Sequence, residues 1–109
     1  MNNFEKTGIA GQVIDQIISI LKCNPAVEKV ILFGSRAIGS YKNGSDVDLL
    51  LIGEELELKD VLDASIQIDD LFLPYKVDLI LYDRIEEPSL LEHIDRVGIT
   101  LYDRLDPRT

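Results

Sequence analysis

Two short stretches of the sequence carry the same pattern, a valine and an aspartate followed by three aliphatic residues, and this repeat constrains the fold most strongly. The stretches are residues 47–51 and 77–81. Such dense runs of β-branched and aliphatic residues are typical of strands, and we predict strands over residues 45–52 and 76–82. Because the residues after each aspartate are apolar on both faces, we expect both strands to lie in the centre of a sheet.

The segments around these strands alternate between helical and extended patterns. In the predicted helices, apolar residues recur every three or four positions, and Pro74, Pro88 and Gly98 stand at sites suited to helix ends. Residues 35–38 are predicted as a short turn or the start of a helix. Helices that alternate with strands indicate an α/β arrangement in which helices cover a sheet. The predicted helices cover residues 9 to about 24, 58 to about 72 and 88 to about 97, and the other predicted strands cover residues 27–33 and 99–102.

The charge of the chain excludes one large class of partner. The 109 residues include 20 acidic and 11 basic side chains, a net charge of −9. Residues 45–109 carry 17 acidic and 6 basic side chains, a net of −11, whereas residues 1–44 carry 3 and 5, a net of +2. An acidic surface repels a phosphate backbone, so we do not expect binding to long DNA or RNA, while a small metal-chelated nucleotide remains allowed.

Length, cysteine content and hydropathy set further expectations. A chain of 109 residues has room for one domain, residues 1–109. The single cysteine, Cys23, cannot form an internal disulfide, and no charged segment followed by an apolar run opens the sequence. Fully apolar runs such as residues 49–52 are far shorter than the roughly 20 residues that a membrane span needs. We therefore expect a cytoplasmic protein without a membrane segment.

Three aspartates near the starts of the two repeated strands form the pattern that most strongly indicates chemistry. Residues i and i+2 of a strand point to the same face, about 6.6–6.8 Å apart along the chain, so Asp46 and Asp48 share a face. Asp78 opens the other strand. Clustered carboxylates repel one another unless cations lie between them. Oxygen-rich clusters suit Mg²⁺, and two such ions about 3.5–4 Å apart can stabilise the attacking and leaving oxygens of a phosphoryl or nucleotidyl transfer.

A turn flanked by glycines precedes these aspartates. Residues 34–39 read GSRAIG and leave the preceding strand with a hydroxyl, a guanidinium and backbone N–H groups, which together can hold a phosphate tail. The spacing of the two glycines matches a P-loop. However, Ser40 and Tyr41 stand where a lysine and a serine or threonine are needed, and no GxGxxG motif is present. The turn therefore indicates phosphate binding of another kind.

The joint pattern GSRAIGSYKNGSDVDLLLIG, residues 34–53, followed by Asp78 on a later strand, resembles the nucleotidyltransferases of the DNA polymerase β superfamily. More narrowly it resembles the minimal nucleotidyltransferases, or MNT proteins. The resemblance covers nearly the whole chain from the first helix onward. It implies the nucleotidyltransferase fold, a small mixed β-sheet packed with helices, as one minimal domain.

The same resemblance implies two sets of site residues. On the phosphate side, Gly34 and Ser35 hold the β- and γ-phosphates, and Arg36 and Ser45 complete the nucleotide-binding residues. On the metal side, Asp46 and Asp48 ligate two Mg²⁺ ions, with Mn²⁺ as an alternative. Asp78 completes one metal site and helps to deprotonate the acceptor hydroxyl. These three implied metal ligands are also the implied catalytic residues.

The implied reaction is attack on the α-phosphate of a nucleoside triphosphate with release of pyrophosphate. The chain lacks the helical domains with which larger relatives bind an acceptor, so another protein must supply it. In the MNT family this partner is often a small helical HEPN protein, and the pair act as antitoxin and toxin. No Arg-x4-His of the HEPN ribonuclease type is present, so this chain resembles the antitoxin half. We expect transfer of AMP to a partner hydroxyl, in particular a tyrosine.

One alternative to this chemistry remains open from the sequence. The chain could neutralise its partner by masking it, as a binding module without turnover. Three mutually repelling carboxylates favour the enzyme, because a pure binding module has no need of them.

His93, on the last predicted helix, has no Cys or His at ligand spacing and is predicted as a surface or half-buried structural histidine rather than a zinc ligand.

Overall fold

The structure is a computed structural model that describes residues 5–42 and 44–106. All the predicted helices and strands are present in it, and residues 35–38 form a short helix. Two 3₁₀ turns, Glu5–Thr7 and Tyr82–Arg84, complete the secondary structure of the described residues. The helices are α1 (Gly11–Leu21), α2 (Ser35–Ile38), α3 (Leu58–Asp69) and α4 (Pro88–Val97), and the strands are β1 (Lys29–Phe33), β2 (Val47–Ile52), β3 (Val77–Leu81) and β4 (Ile99–Asp103).

The four strands form one mixed sheet in the order β3-β2-β1-β4. Strand β1 pairs antiparallel with both β2 and β4, and β2 pairs parallel with β3. The prediction of a central position is confirmed for β2 and wrong for β3, which lies at an edge. An apolar pattern reports whether the two faces of a strand are covered, and Leu79 and Ile80 of β3 are indeed half-buried on opposite faces. It does not report whether both hydrogen-bonding edges are paired.

One face of the sheet, which we call the closed face, carries the main hydrophobic core. Alternate residues of β1 and β2 point into this core, where α1 and α3 cover them. The most deeply buried of these side chains expose 2% or less of their surface: Val30, Leu32, Val47, Leu49 and Leu51. Burial of this kind is the main source of folding free energy in a small domain.

The opposite face, which we call the open face, has a smaller core. Phe33 of β1, Leu50 of β2 and Ile94 of α4 are its buried members, with half-buried Ile31 and Ile80 packed against them. Because α4 is the helix that contributes to this cluster, part of the sheet surface is left for polar residues. The open face is therefore the side on which β2 and β3 present their aspartates.

The segment after α3 differs from its prediction. The helix ends at Asp69 rather than near Phe72, and Phe72 adopts a positive φ of 53°. Its side chain is 89% exposed. The apolar residues after Asp69 extended the helical period in the sequence, but the chain turns here before Pro74, whose ring disfavours helix in the residue that precedes it. In the described residues, no helix combines the length and the hydropathy that crossing a membrane requires.

Candidate active site

The parallel pairing of β2 and β3 brings two of the predicted site residues together. The register places Asp48 directly beside Asp78. Both aspartates are second residues of their strands, so both side chains point to the open face. Neighbouring strands lie about 4.8 Å apart. The identical Val-Asp openings of the two strands thus become a pair of adjacent carboxylates.

The electrostatics of this pair depend on three nearby groups. Burial raises the pKa of the Asp48 carboxyl, and the negative charges of Asp78 and Asp46 raise this pKa further. The interaction with His93 lowers it and so acts in the opposite direction. Asp46, two residues before Asp48, is exposed just outside β2. All three predicted carboxylates therefore influence one location, and ionisation of Asp48 there is disfavoured until a positive charge approaches.

Lys76 supplies one positive charge that we did not predict. Its Nζ lies 3.4 Å from Oδ1 of Asp78, although the lysine side chain is 71% exposed. An exposed pair of this kind contributes little to stability, because water and salt screen it. The sequence contains the relevant pattern, since Lys76 stands two residues before Asp78 and residues at this spacing share a face of an extended chain.

Gly34, directly after β1, lies against the carboxylate of Asp48. Its backbone angles, φ 80° and ψ −159°, fall in a region that is essentially restricted to glycine. A Cβ at this position would collide with Oδ2 of Asp48. Two independent constraints, the backbone conformation and the space taken by the carboxylate, therefore require glycine here.

His93 reaches the glycine turn from α4. The backbone N–H of Gly34 donates a hydrogen bond of 3.2 Å to Nε2 of His93, across 59 positions of sequence. The imidazole also meets the ring of Phe33 edge-on, with ring centroids 6.4 Å apart. The histidine is half-buried, as predicted. Its place beside the site was not predicted, because no local pattern links residues so far apart in sequence.

Arg36 makes contacts of a structural kind. Its side chain is 3% exposed. It donates hydrogen bonds to the carbonyl oxygens of Ser45, 3.1 Å from Nε, and Thr7, 2.8 Å from Nη1. The guanidinium also lies between the rings of Tyr41 and Tyr75, 4.7 and 4.6 Å from their centroids. These contacts join four segments of the chain, and the assignment of Arg36 to the triphosphate stays a prediction.

The two predicted serines occupy different positions. Ser35 is the first residue of α2 and directly follows Gly34, the glycine that lies against Asp48. Ser45 stabilises the loop before β2, because its Oγ accepts a hydrogen bond of 2.8 Å from the N–H of Lys42. Its carbonyl oxygen is also an acceptor for Arg36. The structure thus places Ser35 at the turn and Ser45 in the loop that leads to Asp46.

The donor set at this face is one that Mg²⁺ prefers. In residues 5–42 and 44–106, no three His, Cys, Asp or Glu side chains are arranged to hold one metal ion together. Asp48 and Asp78 nevertheless present carboxylate oxygens side by side, and protein sites bind Mg²⁺ through one or two carboxylates, with water and substrate phosphate filling the other positions. Burial and then the charges of Asp78 and Asp46 raise the pKa of Asp48, and a cation bound there would favour its ionised form. The residues therefore fit a divalent ion.

A comparison with protein families agrees with this geometry. Residues 15–106 match the model of the polymerase beta nucleotidyltransferase family. The chain belongs to this family. The resemblance seen in the sequence is thereby confirmed, and so is the predicted class of enzyme, a nucleotidyltransferase.

One curated relative of this nucleotidyltransferase is a protein of Methanocaldococcus jannaschii that is provisionally named a protein adenylyltransferase. The two sequences are 31% identical over 86 residues, which cover 76% of this chain and 85% of the relative.

Solved structures share the fold of this nucleotidyltransferase. A chain from a toxin–antitoxin crystal structure with AMP-PNP superposes with a TM-score of 0.69 at 22% identity, covering 83% of this chain and 73% of that one. A chain from a complex of a tri-AMPylated Shewanella oneidensis HEPN toxin with an MNT antitoxin gives 0.64 at 19% identity, covering 84% and 71%. The predicted fold, a small mixed sheet packed with helices, is confirmed by these matches.

Proposed function

We propose that this nucleotidyltransferase transfers AMP from a nucleoside triphosphate to a hydroxyl group of a partner protein. The observation that carries the proposal is the pairing of Asp48 with Asp78 on the open face, with Gly34 packed against Asp48. This arrangement joins a pair of carboxylates to a turn of the type that holds phosphates. The M. jannaschii relative, named as an enzyme that acts on proteins, supports protein as the acceptor.

The aspartates of the site bind metal, and the glycine turn binds phosphate. Asp46 and Asp48 bind Mg²⁺ or Mn²⁺, and Asp78 completes one metal site. When bound, two such ions supply electrostatic stabilisation of the attacking and leaving oxygens. Gly34 and Ser35 hold the β- and γ-phosphates, and Ser45 and Arg36 hold the loop that carries Asp46.

Asp78 is the residue that assists the acceptor. The acceptor oxygen forms a new bond to the α-phosphorus, the bond from the α-phosphorus to the bridging oxygen breaks, and pyrophosphate leaves with that electron pair. Asp78 accepts the proton of the acceptor hydroxyl, and the Nζ of Lys76 lies 3.4 Å from its Oδ1. The interaction of Asp48 with His93 lowers the pKa of the Asp48 carboxyl, which favours the ionised form that binds a cation.

The partner that fits best is a small helical HEPN-type protein that presents a tyrosine. Structures of similar fold come from toxin–antitoxin assemblies, one of them with AMP-PNP and one with an AMPylated HEPN toxin. These assemblies support a triphosphate as donor, AMP as the transferred group and a HEPN protein as acceptor. The alternative, an antitoxin that only masks its partner, leaves unexplained why Asp48 and Asp78 are kept side by side at an electrostatic cost.

The test is a transfer assay with triphosphate labelled in the α-phosphate and Mg²⁺. The acceptor offered is a purified HEPN-type protein encoded beside this chain. We expect the label on a tyrosine of that protein, and Asp48→Asn should lower the rate at least about 10³-fold, or about 4 kcal/mol, because metal-bound carboxylates act in the transition state. Asp15→Asn, at an exposed aspartate on α1, is the matched control and should leave transfer unchanged. A complex that forms without any transfer of label would favour the masking antitoxin.

Asp78 offers a finer test of the same proposal. If it assists the acceptor in the transition state, Asp78→Asn should lower kcat much more than it weakens nucleotide binding. Nucleotide binding is measured separately by titration calorimetry with a non-hydrolysable triphosphate and Mg²⁺. Equal losses in kcat and in nucleotide affinity would show that Asp78 is an ordinary metal ligand.

A further inference from the structure

Helix α3 has a second apolar face that the fold of this chain does not bury. Leu58, Leu62 and Ile66 follow one another at spacings of four residues, so they form a single stripe along the helix. Their side chains are 47%, 55% and 62% exposed. We call these three residues the outer stripe. Just after the helix, Phe72 adds a side chain that is 89% exposed.

The outer stripe is separate from the face by which α3 holds the domain together. The residues that α3 contributes to the main core are Val61, Ala64 and Ile68, all buried. At about 100° per residue, this buried face and the outer stripe point in directions more than a quarter-turn apart. Isolated exposed apolar residues are common, but a contiguous row of large ones on a regular helix marks an interaction surface.

The charges around the outer stripe indicate what covers it. Residues 54–70, which include α3 and the segment before it, carry seven acidic side chains and one lysine, a net charge of −6. A second copy packed through the same surface would place two such acidic segments against each other. Anionic lipid headgroups are disfavoured for the same reason. A basic surface with an apolar centre is the complement.

We propose that the outer stripe is the docking site for an amphipathic helix of a partner protein, with an apolar row flanked by lysine and arginine. Recognition would follow the helix-in-groove mode, in which apolar side chains spaced along one helix provide the affinity. The flanking charges accelerate encounter. The inference rests on the proposed function only in that the partner is a helical protein.

The position of the outer stripe makes docking separable from catalysis. Helix α3 covers the closed face of the sheet, whereas Asp48 and Asp78 point to the open face. A helix bound at the outer stripe therefore leaves the carboxylates accessible. The stripe retains the partner, and the acceptor group reaches the opposite side of the sheet from another part of the partner or from a second partner molecule.

The test uses two synthetic 18-residue helical peptides in the absence of nucleotide and metal. Both have leucines at three- and four-residue spacing, and their other positions are lysine in one peptide and glutamate in the other. We expect the full chain to bind the lysine peptide, measured by fluorescence anisotropy, and the double variant Leu62→Gln and Ile66→Gln to bind it at least tenfold more weakly. These changes leave the charge unaltered and affect exposed positions. Leu105→Gln, at another leucine that is 87% exposed, is the matched control and should bind as the wild type does.

Each other outcome overturns the inference. If the double variant binds the lysine peptide as tightly as the wild type, attraction is purely electrostatic and the stripe is not a docking site. If the glutamate peptide binds equally well, the charge argument is wrong. If the wild type sediments as a dimer and the double variant as a monomer, the occupant is a second copy. None of these results touches the proposed catalysis, because Asp48→Asn should bind the lysine peptide normally while abolishing transfer.

Discussion

The two faces of the sheet are built from alternate residues of the same strands, yet they differ in almost every physical property. On the closed face, Leu49 and Leu51 of β2 are fully buried beneath α1 and α3. On the open face, Asp48 of the same strand stays half-exposed beside Asp78. Because successive side chains alternate between faces, one strand of six residues serves both faces.

The difference shows how a small domain can tolerate a site that opposes its own stability. The closed face buries a continuous apolar core, which supplies most of the folding free energy. The open face has a minor core and accepts carboxylates whose charges repel one another. Stability and chemistry are thus assigned to opposite sides of the same four strands. The following predictions test that division.

The largest effect should come from truncating one core side chain on each face. Leu49→Ala removes a fully buried side chain under two helices and should lower the free energy of unfolding by about 4 kcal/mol. Ile80→Ala, at a half-buried position on the open face, should lower it by about 2 kcal/mol, since the smaller cluster can relax. Urea denaturation measures both. Equal losses would mean that the two faces contribute alike and that the division is wrong.

Substitution of Gly34 should damage stability and catalysis together. In Gly34→Ala, the new Cβ meets Asp48 and the backbone keeps a conformation that alanine avoids, so we expect a loss of about 2–3 kcal/mol. Gly44 also has a positive φ, 82°, but no atom lies within 4 Å of a Cβ built there. Gly44→Ala should therefore cost only about 1 kcal/mol and leave transfer activity intact. Similar effects of the two changes would show that contact with Asp48 does not determine the cost of a side chain at position 34.

The link between α4 and the glycine turn should make a smaller contribution. His93→Ala leaves the N–H of Gly34 without its acceptor and should lower the free energy of unfolding by about 1 kcal/mol. His93→Gln places an oxygen near the position of Nε2 and should restore part of the loss. Asp95→Ala, an exposed change on the same helix, serves as control. No difference between the alanine and glutamine variants would show that the hydrogen bond does not hold the turn.

The smallest effect concerns the cost of the carboxylate itself. Folding raises the pKa of Asp48 above its ordinary value of 3.8, so the folded state binds the proton more tightly than the unfolded state. Below pH 3.8 the protonated side chain costs the fold nothing, and as the pH rises through the folded-state pKa the ionised carboxylate lowers the free energy of unfolding. In EDTA at pH 7, Asp48→Asn should therefore raise Tm by a few degrees.

That gain should shrink toward zero as the pH falls below 3.8, and it should reverse when Mg²⁺ and triphosphate are added, because only the wild type binds them tightly. Thermal melts across pH, with and without Mg²⁺, provide the measurement. The control Asp15→Asn should change stability by less than about 0.5 kcal/mol under all these conditions. A variant that is less stable than the wild type in EDTA would show that Asp48 stabilises the fold.

Much of this arrangement could be predicted because its determinants are local. The two-residue period of a strand put Asp46 and Asp48 on one side, and the repeated Val-Asp opening placed Asp78 at the matching position of its strand. Helix and strand patterns located the elements to within a few residues. Strand direction is not encoded in such periods, so the adjacency of Asp48 and Asp78 required the structure.

The residues that escaped prediction depend on long-range geometry. His93 meets Gly34 only after α4 has packed on the open face. The two tyrosines that enclose the Arg36 guanidinium come from different segments of the chain, so these contacts were not predicted, while the assignment of Arg36 to the nucleotide stays a prediction. The outer stripe, including Leu62, had the helical period expected of core residues, because periodicity identifies an apolar face without showing what covers it.

The contact between Gly34 and Asp48 also links the mutational histories of the two positions. As long as Asp48 is present, any side chain at position 34 meets its carboxylate, so a lineage under selection for catalysis keeps both residues. Loss of the carboxylate removes the obstruction and leaves only the backbone angle to favour glycine. In a lineage that loses activity, position 48 should therefore change first, and position 34 is then constrained by its backbone angles alone. Among inactive descendants of such a chain, glycine without aspartate should be common and aspartate without glycine rare.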